Sequence, residues 1–385
     1  MDHSVLSGYV EDHLTAEQLR LRDDVRRFAE ERIRPTANER SEEQRWDAEL
    51  WRELGEHRWP GVVIPEEYGG MGKGPLEHAI IVEEISRVDA SLGAAQNLLQ
   101  QTVMAVLSFG TSEQKERYLP AFANGSAFSI TGITEAGAGS KLSDMTTIAS
   151  RVEDGWVLKG TKSETHIPSE SAAALIFAKT ESGISAFLVD TGTPGFEVGD
   201  KRGIIGLRGL PMYEVHLRDC HVHHDSLLAG EGEAMRVFFK SFDLTRIGNA
   251  AKCIGIAEGA LADAVAYAEQ RRVGSNVVTD FQGIRWQLVD LFAQLAAARL
   301  AMYHAARAYE KNGRATNEAA IAKLLASQVA MEASIRAVQV TGSYGCFDAQ
   351  AFGRYMQDAK VSQVTGGTVE ILRNTLANSL FGKAQ

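Results

Sequence analysis

Apolar residues in the first 128 positions recur at helical spacing, which predicts a mostly helical N-terminal part. Thr15 to Gln18 has the form of a capping box, in which a hydroxyl and an amide satisfy the free N–H groups of a helix start. Pro35 is expected to end this first helix, because proline has no backbone N–H to donate. The pattern between Trp46 and His57 predicts a second amphipathic helix.

Between residues 129 and 238 the pattern changes to a period of two, which is typical of β-strands. Three short apolar runs are interpreted as buried strands: Trp156–Leu158, Leu175–Phe177 and Ala186–Val189. Apolar and polar residues alternate over Tyr213–Leu217, as in a strand with one exposed face. Glycine-rich turns separate these runs, so this part predicts a small antiparallel β domain.

From residue 239 onward helical spacing returns with little interruption. Two sets of residues repeat at spacings of three and four, which predicts long helices with a bundle seam. The first set is Ile284, Leu288, Leu291, Leu295, Ala298, Met302, Ala305 and Tyr309, and the second is Ile321, Leu324, Gln328, Met331, Ile335 and Val338. The predicted fold is α+β and mostly α, with an N-terminal helical domain (1–128), a middle antiparallel β domain (129–238) and a C-terminal four-helix bundle (239–385).

Composition and charge exclude several classes of function. A chain of 385 residues, of which 44% are hydrophobic and 23% charged, suits a soluble protein of two or three domains. The net charge of -10 argues against a nucleic-acid partner, because phosphate binding needs clustered Lys and Arg. No apolar run reaches the roughly 18–20 residues that span a bilayer. The N-terminus also lacks a signal layout, so we expect a cytoplasmic protein that contacts no membrane.

The cysteines and histidines do not indicate a metal site. Cys220, Cys253 and Cys346 are widely separated and odd in number, which favours neither a disulfide framework nor a metal cluster. The histidine group at 221–224 is interpreted as the polar end of a strand. We therefore expect that the protein binds no metal.

The stretch Thr131–Ser140, with the sequence TGITEAGAGS, is the main candidate for ligand binding. Small residues let a backbone approach a flat or anionic ligand closely, and successive N–H groups can hold an anion. Two motifs shortly before it, Gln114–Lys115 and Tyr118–Pro120, and a strand-rich segment with Gly160–Lys162 after it give the stretch a recognisable setting.

This layout resembles the acyl-CoA dehydrogenase family, and further motifs continue the resemblance in order over essentially the whole chain. They are Pro65–Gly70, Gly110–Lys115, Gly206–Gly209, Phe242–Arg246, Arg271 with Phe281 and Gln282, Gln339–Gly345, Asp358–Lys360 and Gly367–Thr368. The resemblance implies an FAD-dependent oxidoreductase acting on an acyl thioester, carried by coenzyme A or an acyl-carrier protein. α,β-Dehydrogenation is the reaction that it implies first, with an electron acceptor to reoxidise the flavin.

The resemblance also implies which residues form the site. Those implied for FAD are Thr131, Ile133, Thr134, Gly139, Ser140, Glu164, His166, Arg271, Gln282, Gln339, Gly342, Ser343, Thr368 and Glu370. Those implied for the thioester are Ser140, Asp243, Thr245 and Arg246. The segment from Gln339 to Ser343 is implied to contact the flavin of a neighbouring subunit, so the resemblance favours a homotetramer or homodimer.

Two of the implied arginines have alternative interpretations. Arg246 could instead pair with Asp243, three residues earlier on the same predicted helix. Arg271 could be a solvated charge next to Arg272.

Neither position that usually carries the family's catalytic glutamate holds a base. They are Gly366, which has no side chain, and Thr245, whose hydroxyl is no base near neutral pH. Glu164 and His166 stand where the family usually has an aromatic residue and a threonine near the flavin, so proximity makes them the candidate catalytic residues. Glu164 could instead lie at the surface, and His166 could be an ordinary hydrogen-bonded histidine.

These departures leave three interpretations open. The chain could oxidise a thioester with a base from an unusual position. It could run different flavin chemistry, such as enoyl reduction or the reaction of a flavin-dependent monooxygenase. It could also be a redox-degenerate, non-catalytic subunit. Lys141 replaces the acidic residue expected after Ser140, and Gly274 replaces the phenylalanine expected three residues after Arg271.

Overall fold

The computed structural model describes residues 10–166 and 170–382, and it has the predicted order of helices, sheet and helices. The N-terminal helices are α1 (Ala16–Phe28), α2 (Ala37–Glu43), α3 (Ala48–Glu56), α4 (Pro75–Ser86), α5 (Ala90–Phe109) and α6 (Ser112–Ala123). The predicted capping box is confirmed, since Thr15 Oγ1 accepts from Gln18 N at 3.2 Å and Gln18 Oε1 accepts from Thr15 N at 3.0 Å. After α1 the chain passes through a π turn and then a 3-10 turn that contains Pro35.

Within the residues that the structure describes, the middle part is one sheet formed by eight strands. They are β1 (Phe128–Gly132), β2 (Ile148–Val152), β3 (Gly155–His166), β4 (Ser171–Thr180), β5 (Gly183–Asp190), β6 (Phe196–Arg202), β7 (Met212–His223) and β8 (Leu227–Leu228). Their order is β6-β7-β3-β2-β4-β5-β8, and β1 also pairs with β4. Most pairs are antiparallel, but β1 and β2 both run parallel to β4, so the sheet is mixed. Period-two alternation reports which face a residue occupies and not the direction of the neighbouring strand, so it could not show this.

The C-terminal part consists of three long helices and two shorter ones. They are α7 (Ala234–Gln270), α8 (Gln282–Asn312), α9 (Thr316–Thr341), α10 (Ala351–Ser362) and α11 (Val369–Phe381). A two-stranded hairpin, β9 (Arg272–Val273) and β10 (Asn276–Val277), joins α7 to α8. Gly274 lies in its turn with φ of 63°, a conformation that a phenylalanine would rarely adopt.

Helix α8 buries the predicted seam. The buried residues of this helix include Leu288, Leu291, Leu295, Ala298, Met302 and Ala305. Their spacing of three and four residues places them on one stripe, which packs against the neighbouring helices α7 and α9.

Helix α9 buries a different face from the predicted one. Ile321 and Ile335 are 43% and 50% exposed in the single chain, although the spacing pattern put them in the seam. The buried residues include Ala319, Ala320, Ala322, Lys323, Ala326, Ser327, Val329, Ala330, Ala333, Ser334 and Ala337. Small side chains let α9 approach α7 closely, so the alanine face takes the inner position and the larger apolar residues lie outside.

Buried ion pairs attach α7 and α8 to the N-terminal helices. Arg299 donates to Glu83 at 2.8 Å, and Arg26 donates to Glu84 at 2.8 Å and to Glu258 at 3.1 Å. These contacts fix the orientation of α7, which carries several of the candidate site residues. None of the described helices is long and apolar enough to cross a membrane.

Candidate active site

The glycine-rich stretch leaves β1 as an open loop beside β3. Thr134 O accepts a hydrogen bond from Ser163 N of β3 at 3.0 Å. Gly137 and Gly139 are exposed, and a methyl group built on either would meet no atom within 4 Å. The loop therefore presents bare backbone on which a flat ligand can lie.

A buried ion pair holds the return of this loop. Glu135 Oε1 accepts from Lys162 Nζ at 2.7 Å and from Thr147 N at 3.0 Å, while Oε2 accepts from Thr146 N and Oγ1, both at 2.6 Å. Burial acts to raise the pKa of Glu135, but the hydrogen bonds from Lys162, Thr146 and Thr147 outweigh it and lower this pKa to about 2. The carboxylate is thus charged at neutral pH, and its role is to shape the loop. Sequence reasoning missed this pair.

The two candidate catalytic residues lie at the end of β3 and differ in their exposure to solvent. Glu164 is exposed and His166 is partly buried. His166 Nδ1 donates to Leu210 O at 3.0 Å, and burial lowers the pKa of this imidazole to about 4. His166 is therefore neutral at pH 7, and its Nε2 lone pair is free to accept a hydrogen bond. Ser163 Oγ and Thr165 Oγ1 are buried on the same strand and have no hydrogen-bond partner in the described part of the chain.

Asp243 and Arg246, in the first half of α7, do not pair with each other. Asp243 Oδ2 instead accepts from Ala315 N and Thr316 Oγ1, both at 3.0 Å, and so caps the beginning of α9. The Arg246 guanidinium stacks on the ring of Phe242, 4.1 Å from its centroid. It is only 3% exposed, and no acceptor among the described residues binds its Nε.

The loop before α11 brings the two usual base positions together. A methyl group built on Gly366 would lie 2.4 Å from Asn249 Nδ2, and Asn249 Nδ2 donates to Thr245 O at 2.9 Å. Lys323 Nζ donates to Gly367 O at 2.6 Å and anchors this loop from α9. Gly366 and Thr245 thus lie on either side of the Asn249 amide.

Polar side chains of α4 and α5 extend the hydrogen bonds around Thr245. Asn97 Nδ2 donates to Thr245 O at 3.0 Å, and Asn97 Oδ1 contacts His78 Nε2 at 3.0 Å. A methyl group on Gly248 would come within 1.9 Å of Asn97 Oδ1, so the packing here is tight. The region beyond Thr245 is therefore polar and closely filled.

Sequence reasoning also missed Lys252, two turns further along α7. Lys252 is 1% exposed, and its Nζ donates to Thr365 Oγ1 at 3.3 Å, directly before Gly366. Its charge also acts on His166, so the amine lies between β3 and the Gly366 loop. A lysine within the small, apolar run Gly248–Gly255 was the signal that could have revealed it.

Another group of predicted residues lies at the far end of α7. Arg271 follows Arg246 by 25 residues of sequence, and almost all of that span is one helix, so they are roughly 37 Å apart at 1.5 Å per residue. The rings of Tyr267 and Tyr344 stack at 4.7 Å at this end, which places Gln339–Ser343 near Arg271. Arg271, Gln282, Gln339, Gly342 and Ser343 are all exposed. The structure thus divides the predicted FAD residues between two regions of one chain. The first contains the Thr131–Ser140 loop, the end of β3 and the start of α11, and the second surrounds Arg271 at the end of α7.

The remaining predicted residues belong to the Thr131–Ser140 loop and to the start of α11. Thr131 and Ile133 are partly buried, whereas Ser140 is exposed on the open loop. Thr368 caps α11, its hydroxyl accepting from Ile371 N at 3.3 Å. Glu370, in the first turn of that helix, is exposed. Among residues 10–166 and 170–382, no group of three or more His, Cys, Asp and Glu side chains could hold a metal ion.

Comparison with known proteins places this arrangement in a family. The models for the N-terminal, middle and C-terminal domains of acyl-CoA dehydrogenase match residues 15–126, 131–220 and 232–381. An acyl-CoA dehydrogenase of Bacillus subtilis is 34% identical over 96% of this chain and 99% of its own length. The chain belongs to the acyl-CoA dehydrogenase family. Its members are flavoprotein oxidoreductases that act on acyl thioesters, and the chain is an enzyme of this class.

Solved structures of this family have the same fold. Butyryl-CoA dehydrogenase from Megasphaera elsdenii has a TM-score of 0.92 at 34% identity, covering 95% of this chain and 98% of that one. A prolyl acyl carrier protein oxidase has a TM-score of 0.91 at 26% identity, covering 96% and 100%. Because these two structures are of a dehydrogenase and an oxidase, the comparison does not favour a monooxygenase or a non-catalytic subunit.

The residues of the Thr131–Ser140 loop and of the end of β3 fit the ring of a flavin. The backbone at Gly137 and Gly139 is open to a flat ligand, and two buried hydroxyls on the adjoining strand, Ser163 Oγ and Thr165 Oγ1, lack partners. The N-terminus of α11 at Thr368 also suits an anionic group, because its first N–H groups point outward.

Proposed function

We propose that this enzyme binds FAD and removes the α- and β-hydrogens of a short acyl thioester carried by coenzyme A or an acyl-carrier protein. The observation that carries this proposal is the Arg246 guanidinium. A buried charge without an acceptor is costly unless a ligand completes its contacts. Arg246 lies beside the Gly366–Gly367 loop, where a methyl group on Gly367 would be 3.6 Å from its Nη2. A polarised thioester, or the anionic arm of its carrier, supplies such an acceptor.

The proposed FAD site is divided between two copies of the chain. Thr131, Ile133, Thr134, Gly139, Ser140 and the end of β3 would lie along the ring, with Thr368 and Glu370 near its phosphates. Arg271, Gln282 and Gln339–Ser343 lie around the far end of α7, roughly 37 Å along the helix from Arg246, so we infer that they complete the site of a second copy. Bound FAD supplies the acceptor for hydride.

The proposal of a short acyl chain rests on the polar region beyond Thr245. Asn97, His78 and Asn249 surround that residue, and a long hydrocarbon chain would have to displace their hydrogen bonds. One structural neighbour, butyryl-CoA dehydrogenase, is named for a short acyl group, which supports the same choice.

The proposed assembly is a homotetramer or homodimer, and the proposed compartment is the cytoplasm. Large apolar side chains are exposed on the outer faces of α8 and α9 in the single chain, among them Trp286, Val289, Ile321 and Ile335. Exposed large apolar side chains that gather into one patch are typical of subunit interfaces, which supports an assembly through α8 and α9. A separate electron acceptor would reoxidise the flavin after each turnover.

The decisive experiment is an absorption spectrum of the purified protein, followed by anaerobic titration with acyl thioesters. We expect flavin bands that bleach with a short acyl thioester, on coenzyme A or on an acyl-carrier protein, and an enoyl thioester as the product. Bleaching by only one of the two series would identify the carrier.

Two results would contradict the proposal. The first is a protein that acquires no flavin bands even after incubation with FAD. The second is a flavin that no thioester bleaches but that, once reduced, consumes oxygen and yields a hydroxylated product.

A further inference from the structure

The structure contains a buried amine that has no counter-ion. Among residues 10–166 and 170–382, no carboxylate oxygen lies within the 4.0 Å of an ion pair from Lys252 Nζ. Its single hydrogen bond is the 3.3 Å contact to the neutral hydroxyl of Thr365. The other two lysines that are buried in the described part of the chain differ, because Lys162 is paired with Glu135 and Lys323 donates to Gly367 O. Lys252 is thus the buried lysine whose position neither an ion pair nor a backbone contact explains.

Four ionisable groups on four elements surround the amine. His166 faces it from β3, Lys323 from α9, Asp358 from α10 and Cys253 from its own helix. His166 is neutral, and the second cation, Lys323, opposes any charge on Lys252. Asp358 is buried as well, and its Oδ1 is used by the N–H of Leu207 at 2.6 Å.

We propose that Lys252 is the base that removes the α-proton of the thioester, and that Thr365 is its positioning residue. This inference rests on the proposed function. The amine is bonded to the residue directly before Gly366, the position at which the family resemblance expects the catalytic carboxylate. Asn249 Nδ2 fills the space next to Gly366 itself, so the amine approaches this loop through Thr365, one residue before that position.

The proton and electrons balance as follows. The Lys252 lone pair takes the α-proton, so that the α C–H bond breaks and an N–H bond forms. The electron pair of that bond becomes the α,β double bond, and bound FAD would supply the acceptor for the β-hydrogen, which leaves as hydride. Protonated Lys252 then passes its extra proton toward Thr365 and solvent, and the electron acceptor reoxidises the flavin.

The surroundings of Lys252 favour the neutral form that a base requires. Burial lowers the pKa of Lys252, and the nearby Asp358 carboxylate only partly offsets this effect. A neutral amine that donates one N–H to Thr365 Oγ1 keeps its lone pair free. Amines desolvated in this way are known to act as general bases near neutral pH.

One test needs neither flavin nor turnover. In protein labelled with 13C at the lysine ε-carbon, the signal missing from Lys252→Met identifies Lys252, and its titration gives the pKa directly. We expect this pKa clearly below the roughly 10.4 of an exposed lysine. A signal that titrates at or above that value would mean a charged amine at working pH and would overturn the inference.

The second test compares Lys252→Met and Lys252→Arg with wild type. General-base catalysis contributes about 100- to 10,000-fold, so we expect kcat to fall by that factor in both variants while flavin content is retained. Arginine keeps the positive charge but offers no lone pair. A loss of activity in Lys252→Arg therefore shows that Lys252 acts as a base and not merely as a positive charge. Thermal unfolding shows whether either variant is misfolded.

The outcomes separate this inference from the proposed function. If wild type shows no thioester-dependent bleaching, the proposed function fails. If thioesters bleach the wild-type flavin and Lys252→Met turns over neutral acyl thioesters as fast as wild type, only the role of Lys252 fails. Weaker binding of a carboxyl-bearing thioester by this variant would not change that conclusion.

Thr365 provides a control for positioning. Thr365→Val removes the hydroxyl with little change of shape, so we expect the rise of kcat with pH to shift along the pH axis while the KM changes little. Thr365→Ser restores the hydroxyl and is expected to restore the wild-type profile. A valine variant with an unshifted profile would contradict the positioning role.

Discussion

A side chain at position 366 would have two structural obstacles. Gly366 has φ of 69°, a left-handed conformation that costs a glutamate free energy, and its Cβ would lie 2.4 Å from Asn249 Nδ2. The glycine therefore does more than leave the usual base out, because Asn249 fills the space next to it. Restoring a carboxylate here requires a change at both positions.

We expect Gly366→Glu alone to lower stability and to give no gain in dehydrogenation. In the double variant Gly366→Glu, Asn249→Ala the carboxylate has room, and we expect thioester-dependent flavin bleaching to persist when Lys252→Met is added. Stopped-flow absorbance of the flavin measures this. The single Asn249→Ala variant is the control, and equal rates with and without the glutamate in the Lys252→Met background would contradict the expectation.

The Glu135–Lys162 pair predicts a pH dependence of stability. The folded pKa of Glu135 is lowered to about 2, so its contribution is present above its unfolded pKa and is lost as pH falls from about 4.5 toward 2. A shift of this size corresponds to at most about 3 kcal/mol, and solvent screening reduces this figure. We expect the difference in unfolding free energy between wild type and Glu135→Gln to shrink over this window, as measured by urea unfolding. Parallel curves for the two proteins would show that Glu135 does not titrate there.

The sequence predicted part of the site at the level of single residues. The open loop at Thr131–Ser140 followed from its glycines, and the missing carboxylate followed from Gly366 and Thr245. Lys252 could not be assigned, because spacing shows that a lysine lies on a helix but not that its amine is buried against Thr365. The choice between Arg246–Asp243 pairing and a free guanidinium also needed α9, whose start takes up the Asp243 carboxylate.

At the scale of elements, α8 and α9 show when hydrophobic spacing is a reliable guide. Helix α8 buries its large apolar stripe, as predicted, because its neighbours leave room for leucines. Helix α9 has two apolar stripes, one of alanines and one of larger residues, and the spacing rule selects the larger. Backbone proximity reverses that choice, since close packing against α7 favours the smaller side chains.

The buried alanine face predicts a clear asymmetry between positions on α9. Ala330 is fully buried, so Ala330→Leu should overpack the contact and lower the unfolding free energy by about 1–3 kcal/mol. Glu332 is exposed on the same helix, and Glu332→Leu is the matched control, with an expected change within about 0.5 kcal/mol. Urea unfolding measures both. Equal effects would mean that the alanine face is not the packed one.

At the scale of the whole molecule, one helix joins the proposed thioester region to the second group of predicted FAD residues. Arg246 and Lys252 lie in the first half of α7, and Arg271 directly follows its last residue. Roughly 37 Å of helix separates Arg246 from Arg271. This separation is the structural reason to expect that two copies of the chain complete each proposed site.

Arg271→Ala is expected to weaken FAD binding without unfolding the protein. A charge-assisted hydrogen bond to phosphate contributes about 1.5–3 kcal/mol, which corresponds to about 10- to 100-fold in the dissociation constant. Equilibrium dialysis with the apoprotein measures it. Arg272→Ala is the control, since Arg272 is occupied with Ser275 O at 2.9 Å. Unchanged FAD affinity in Arg271→Ala would remove this residue from the site.

The length of α7 has a consequence for mixtures of defective chains. A chain with Lys252→Met lacks the amine at one end, and a chain with Arg271→Ala lacks the guanidinium at the other, yet each keeps what the other has lost. In a mixed assembly one site would receive both intact ends and its counterpart would receive both defects. Co-expression of the two variants is therefore expected to restore activity that neither has alone, whereas two variants at the same end would not complement each other.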